Sequence, residues 1–145
     1  MTMPTVASEP HPLIGSWKLI SLQTTIEGEA PHNAFGEHPK GYLVLTPDGR
    51  AVAFFIAEGR KAGIGDAERA DLHKSMVAAS GKYRIAHDHF TIAVDVSWNE
   101  SWNGIELKRY FTLEGDKLFI ETAPAPNILR PDKMATSKLV FEREK

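Results

Sequence analysis

The chain contains no cysteine. That excludes disulfides, thiolate metal sites and cysteine nucleophiles. It also lacks an excess of either charge. Lys plus Arg number 17 and Asp plus Glu 19, for a net charge of −2. A nucleic-acid binder normally shows a basic excess, so that class is disfavoured. No window approaches the roughly 20 apolar residues of a membrane-spanning helix. The first residues, MTMPTVASEPHP, have neither the charged start nor the apolar stretch of a signal peptide. A short flexible lead over 1–12, one domain over 13–145 and a cytoplasmic location are therefore expected. No Ser-His-Asp order, GxSxG elbow, phosphate-binding glycine loop or dinucleotide fingerprint occurs, and no cofactor is implied. His87 and His89 flank a tight turn without a third ligand nearby, so no metal site is expected.

What the chain does have is turns. Eleven glycines and nine prolines separate short segments of alternating apolar and polar residues. The alternation predicts strands over 15–25, 41–46, 50–57, 81–86, 89–97, 104–112, 117–122 and 136–143. Thr46-Pro47-Asp48-Gly49 is a hairpin corner: proline presets φ, aspartate caps the turn and glycine takes positive φ. One segment differs. Asp66–Ser80 has acidic residues in its first turn, Gly81 after its end, and Leu72, Met76 and Ala79 on one stripe. It predicts a helix between the third and fourth strands. Eight strands with short links make an all-β, antiparallel up-and-down barrel, closed so that no edge is exposed.

Gly15-Ser16-Trp17 opens the first strand and Leu139-Val140-Phe141-Glu142-Arg143 ends the last. Between them lie Phe35-Gly36-Glu37, Gly41-Tyr42, Leu45–Gly49, Gly81-Lys82-Tyr83 and the Trp102–Tyr110 stretch. In order and spacing these resemble the lipocalin-like domain family of microbial proteins, a calycin-type barrel. At the middle of the fifth strand, where members often carry histidine, this chain has Ile92 and Ala93. The resemblance implies small-molecule binding inside a barrel. Closure independently brings Trp17 beside Arg143, where a guanidinium can cover the indole as a structural cation–π pair with Gly15 alongside.

Strand parity predicts the interior. Trp17, Leu19, Ser21 and Gln23 share a face, as do Tyr83 and Ile85, then Phe90, Ile92, Val94 and Val96. Ile105, Leu107, Arg109 and Phe111 point inward from the sixth strand. Val52–Ile56 is apolar on both faces, which leaves its parity open and offers a homodimer face as an alternative.

Arg109 is the informative residue. An inward charge needs either an anionic ligand or an internal acid; Asp95 qualifies only under the opposite parity of its strand. Tyr83 and Gln23 are candidate hydrogen-bonding groups. Trp98, Trp102, Phe35 and Phe111 are candidate aromatic walls. The 27–40 segment and the Ala123–Ala135 segment, with Ile128, Leu129 and Met134, are candidate borders of the mouth.

Three functions remain open. The first is binding of a small, largely apolar molecule with an acidic or carbonyl group. The second is a cofactor-independent cyclase or isomerase, in which Arg109 stabilises negative charge and Tyr83, or less directly His73, moves a proton. The third is a packed barrel that acts through its surface. Interior volume separates them: ligand pockets usually run about 300–1,000 Å³, and an interior below about 100 Å³ would count against both the binding and the enzymatic reading.

Overall fold

A computed structural model describes residues 10–127 and 130–145. The chain forms β1 (Gly15–Ile26), β2 (Lys40–Leu45), β3 (Arg50–Ile56), α1 (Asp66–Lys74), β4 (Met76–Ile85), β5 (His89–Ser97) and β6 (Glu106–Glu114). β7 (Lys117–Thr122), the two-residue β8 (Ala125–Pro126) and β9 (Met134–Arg143) complete it. Each long strand pairs antiparallel with its neighbour, and β1 pairs with β9 to close the barrel. The architecture is an eight-stranded antiparallel barrel with one helix between β3 and β4, and β8 as a short addition beside β9. No helix among the described residues is long and apolar enough to cross a membrane.

The helix is shorter than its stripe predicts. It stops at Lys74, buries none of its residues, and gives way to a strand from Met76. Ser75 ends it, with the Ser75 hydroxyl donating to the Asp71 carbonyl at 2.8 Å. Arg60 donates to the Leu72 carbonyl at 2.9 Å and covers another orphan acceptor of the last turn. Met76–Lys82 pairs along β3, and β5 takes the other edge from Ala79 onward. Helix propensity favours Met-Val-Ala-Ala only weakly; two open ladders of backbone hydrogen bonds outweigh it. Met76 lies on β4 opposite Ile56 rather than on a helix capping the barrel.

Two bulges correct the predicted parity. In β1 the pairing shifts between Leu19 and Ser21, so Leu22, Thr24 and Ile26 are buried and Gln23 is exposed. In β5 Ser80 pairs with Val96 and Gly81 with Val94, which leaves Asp95 unpaired in the ladder. Phe90, Ile92 and Val94 face the core, whereas Val96 is 66% exposed. A bulge adds one residue to one strand and so reverses the faces beyond it. Asp95 consequently meets Arg50 on the outer surface, where Nη2 stands 3.0 Å from Oδ2. The Arg50 guanidinium holds the Asp95 carboxyl below the ordinary carboxylate range. That engagement removes Asp95 as an internal partner of Arg109.

The β5 bulge depends on Gly81. A Cβ there would stand 1.9 Å from the Ala93 carbonyl oxygen. Gly81→Ala is expected to lower unfolding free energy by about 1–3 kcal/mol, read from the urea midpoint. An unchanged midpoint would mean that the two strands part at no cost.

The apolar β3 segment resolves with Ala51 and Phe55 buried, and with Val52 and Phe54 39% and 49% exposed. Tyr42, opposite Phe54, extends that outer apolar face. At the closed end of the barrel Trp17 and Phe141 are fully buried. Trp17 Nε1 donates to the Leu13 carbonyl at 2.9 Å, and the Arg143 guanidinium lies 4.1 Å above the indole centroid. Arg143 also donates to the Ile14 carbonyl at 3.1 Å and to that of Pro12. Gly15, at φ 135°, makes room for it: a Cβ would stand 2.9 Å from Arg143 Nη1.

Candidate functional site

The opposite end carries the 27–39 connection, α1, the β5–β6 connection and the segment after β7. Beneath these lies an interior chamber of about 40 Å³. Its walls are apolar: Phe90, Ile92 and Leu107 on one side, Ile120, Leu139 and Phe141 on another, with Ala53, Phe55, Val77 and Trp102 toward β3 and the mouth. Arg109 is the one titratable side chain on this wall among the described residues. The volume corresponds to about one water's share of liquid, far below a resident ligand's needs. At about 40 Å³ this form of the barrel falls below the limit of about 100 Å³ and matches the packed barrel, so either cavity reading requires a different, opened form.

Arg109 sits in β6 between Phe90 on β5 and Thr122 on β7. Its Nη1 donates to the Lys108 carbonyl at 3.2 Å, and none of the described acids forms an ion pair with it. No buried side-chain nitrogen or oxygen among the described residues is both sealed and unpaired, so the remaining guanidinium nitrogens of the half-buried Arg109 keep some contact with solvent. Burial pushes the guanidinium pKa down to about 10. The group stays charged at neutral pH, as a cation in apolar surroundings without a counter-charge. On this apolar wall the half-buried group attracts an anion more than an exposed arginine would, because less water competes for it.

Parity reasoning did not single out the polar neighbours of Arg109. Thr122 is its cross-strand partner. One step beyond the Glu121–Lys138 pair, the Ser137 N–H donates to Thr122 Oγ1 at 2.8 Å. Ser137 in turn faces Thr24, and their hydroxyls are 3.0 Å apart. Arg109, Thr122, Ser137 and Thr24 thus form one rung across four adjacent strands. Thr122 and Ser137 continue the inward parity of Ile120 and Leu139 by two positions, a signal present in the sequence. Thr24 was hidden by the β1 bulge.

The other predicted residues fall into separate places. Trp102 reaches the chamber, and Trp98 meets it edge-on with ring centroids 4.9 Å apart. Trp98 Nε1 donates to the His73 carbonyl at 3.0 Å, which ties the β5–β6 connection to α1. His73 itself is exposed on the helix, outside the barrel. Phe35 packs against the core from the 27–39 connection. Phe111 packs on Phe90 and meets His11, toward the closed end. Tyr83 also lies at the closed end, where its hydroxyl donates to the Thr46 carbonyl at 2.5 Å. Burial raises its pKa. A tyrosine so engaged is a strut for the β2–β3 turn and not a proton donor in the chamber. Gln23 is outside the barrel, as described. Ile128 and Leu129 lie outside the described residues; Met134 is exposed.

A larger groove of about 390 Å³ opens between residues 57–61 and α1. It is lined by charges of both signs, among them Lys61, Glu68 and Asp71. Arg60 there is engaged with the helix end and Ser75. Its groups belong to the strap that holds α1.

A model of the lipocalin-like domain matches residues 14–144. The chain belongs to the lipocalin-like domain family. The match spans the closed barrel from β1 to β9, including Gly15, Trp17 and Arg143 at its base. No curated protein matches the chain. The lipocalin-like barrel is compatible with small-molecule binding, and the chamber around Arg109 is where this member differs from a wholly apolar filled core.

Proposed function

We propose that this lipocalin-like barrel binds a small amphipathic molecule, with an anionic head at Arg109 and an apolar body among Phe90, Ile92, Ile120 and Leu139. The observation that carries the reading is a charged guanidinium on an apolar wall with no acid beside it among the described residues. Holding an unpaired cation there lowers stability, and a ligand carboxylate would offset that cost. Affinity would come from apolar burial and orientation from the charge.

The 40 Å³ chamber requires an opened form for anything beyond the head group. Trp102 is the natural moving wall. It sits on a single short 3-10 turn, Glu100–Trp102, rather than on a barrel strand. Withdrawal of that turn would extend the chamber toward the mouth without breaking a strand ladder.

The enzymatic reading is less well supported. With Tyr83 bonded at the closed end and His73 outside, the wall offers electrostatic stabilisation but no group to move a proton. Titration with decanoate and with decanol tests the binding reading, followed by tryptophan fluorescence and native mass spectrometry. Decanoate should bind one-to-one, at least tenfold tighter than decanol, and perturb Trp102 emission. Equal affinity for the two, or no complex with either, would sink the reading.

A further inference from the structure

The rung beside Arg109 has an imbalance of donors and acceptors. Thr122 Oγ1 already accepts from the Ser137 backbone. Among the described residues nothing accepts the Thr122 hydroxyl proton. Thr24 and Ser137 share one hydrogen bond between their hydroxyls. One of the two donates, so the other keeps a proton to offer. Arg109 adds N–H groups that meet no protein acceptor beyond Lys108. Three of the four side chains therefore keep an unused donor, and among the described residues no acid pairs with them.

We propose that Thr122 and Ser137 extend the Arg109 site into a donor row, so that the preferred ligand is an acid carrying a second oxygen one or two carbons from its carboxylate. The proposal rests on the binding reading above and names the substrate class of that same site. Geometry sets the spacing. Residues directly opposite on neighbouring strands have Cβ atoms about 4.5–5.5 Å apart. Arg109 and Thr122 are such a pair. A carboxylate held by the guanidinium places the oxygen of a 2- or 3-hydroxy or oxo group within that separation. A hydroxyl farther down the chain would instead lie against the apolar walls, where no side chain of the lining could pair with it.

The layering sets the orientation. Ile120 and Leu139 line the chamber. Thr122 and Ser137 lie two residues from them on the mouth side, outside the lining of the closed chamber, so the row joins it only in the opened form. The oxygenated head would sit at that layer, and the apolar body would occupy the space that withdrawal of Trp102 opens.

The test compares decanoate, 3-hydroxydecanoate and 3-oxodecanoate by calorimetry, on the wild type and on Thr122→Val, Thr122→Ser and Ser137→Ala. The wild type should bind the oxygenated acids about tenfold tighter than decanoate, the gain of one or two well-placed hydrogen bonds. That ratio should fall to about one in Thr122→Val, shrink in Ser137→Ala and be restored in Thr122→Ser. Because the readout is a ratio on each folded variant, a general loss of stability does not imitate it. A wild-type ratio near one, with decanoate still binding through Arg109, overturns the donor row and leaves the binding reading standing. A ratio unchanged by Thr122→Val overturns it equally. Absence of binding by all three acids overturns both.

Discussion

Arg109→Met is expected to make the protein more stable by about 1–3 kcal/mol while weakening decanoate binding about 30- to 100-fold. Both effects come from one circumstance. The guanidinium lies on an apolar wall with a single backbone carbonyl as partner, and burial depresses its pKa to about 10. The folded state therefore carries a desolvation cost that the unfolded chain does not. Methionine needs no partner and replaces the aliphatic stem of arginine, though it is shorter than the guanidinium it removes. Urea denaturation would show a higher midpoint at unchanged slope. The affinity loss follows from removal of a charge-assisted, two-pronged contact. Arg109→Lys should fall between, since it keeps the charge and loses the fork.

The pH dependence has a definite sign. A base whose folded pKa is depressed costs stability at all pH values below that pKa. The cost fades as pH rises from about 10 toward the value of the unfolded chain. Between pH 6 and 9 the arginine charge is constant, so decanoate affinity should be flat there. A marked drop in stability on Arg109→Met would instead reveal an internal partner, and the anion site would lose its basis.

Trp17→Ala is expected to cost about 3–5 kcal/mol, the usual range for a large aromatic removed from a core. Trp17 is fully buried, donates to the Leu13 carbonyl and lies under the Arg143 guanidinium. Arg143→Met should cost less, because methionine retains part of the cover over the indole. A double-mutant cycle between the two positions should return a coupling of about 0.5–2 kcal/mol, the range of a cation–π contact. Zero coupling would mean that Arg143 acts only through its bonds to Ile14 and Pro12. These changes lie at the opposite end of the barrel from Arg109, so ligand affinity should persist wherever the fold does.

Parts of this molecule are readable from local pattern. Alternation located all eight barrel strands, because a half-buried strand must alternate. Closure followed from the need to protect two edges. The inward direction of Arg109 followed from Glu106 and Lys108, whose charges belong on the solvent face of the same strand. Failures occurred where one extra residue reversed the alternation. Gln23 and Val96 were placed inside because nothing in their own segments announces a bulge; the bulges reside in pairing with β9 and β4. Met76–Ser80 was placed in the helix because its residues tolerate both states and only the neighbouring strands choose between them. Tyr83 was correctly placed indoors but at the wrong end for a ligand, since parity gives the face and not the height.

The sequence by itself determined a cysteine-free, nearly neutral, single antiparallel barrel with a lone inward arginine. Those properties depend on residue type and period, which are local. The tertiary structure alone decided that the outward Asp95 pairs with Arg50, that Thr122, Ser137 and Thr24 share a rung with Arg109, and that the chamber closes to about 40 Å³. Those depend on register and side-chain packing between strands far apart in the chain, and a period-two pattern carries no information about either.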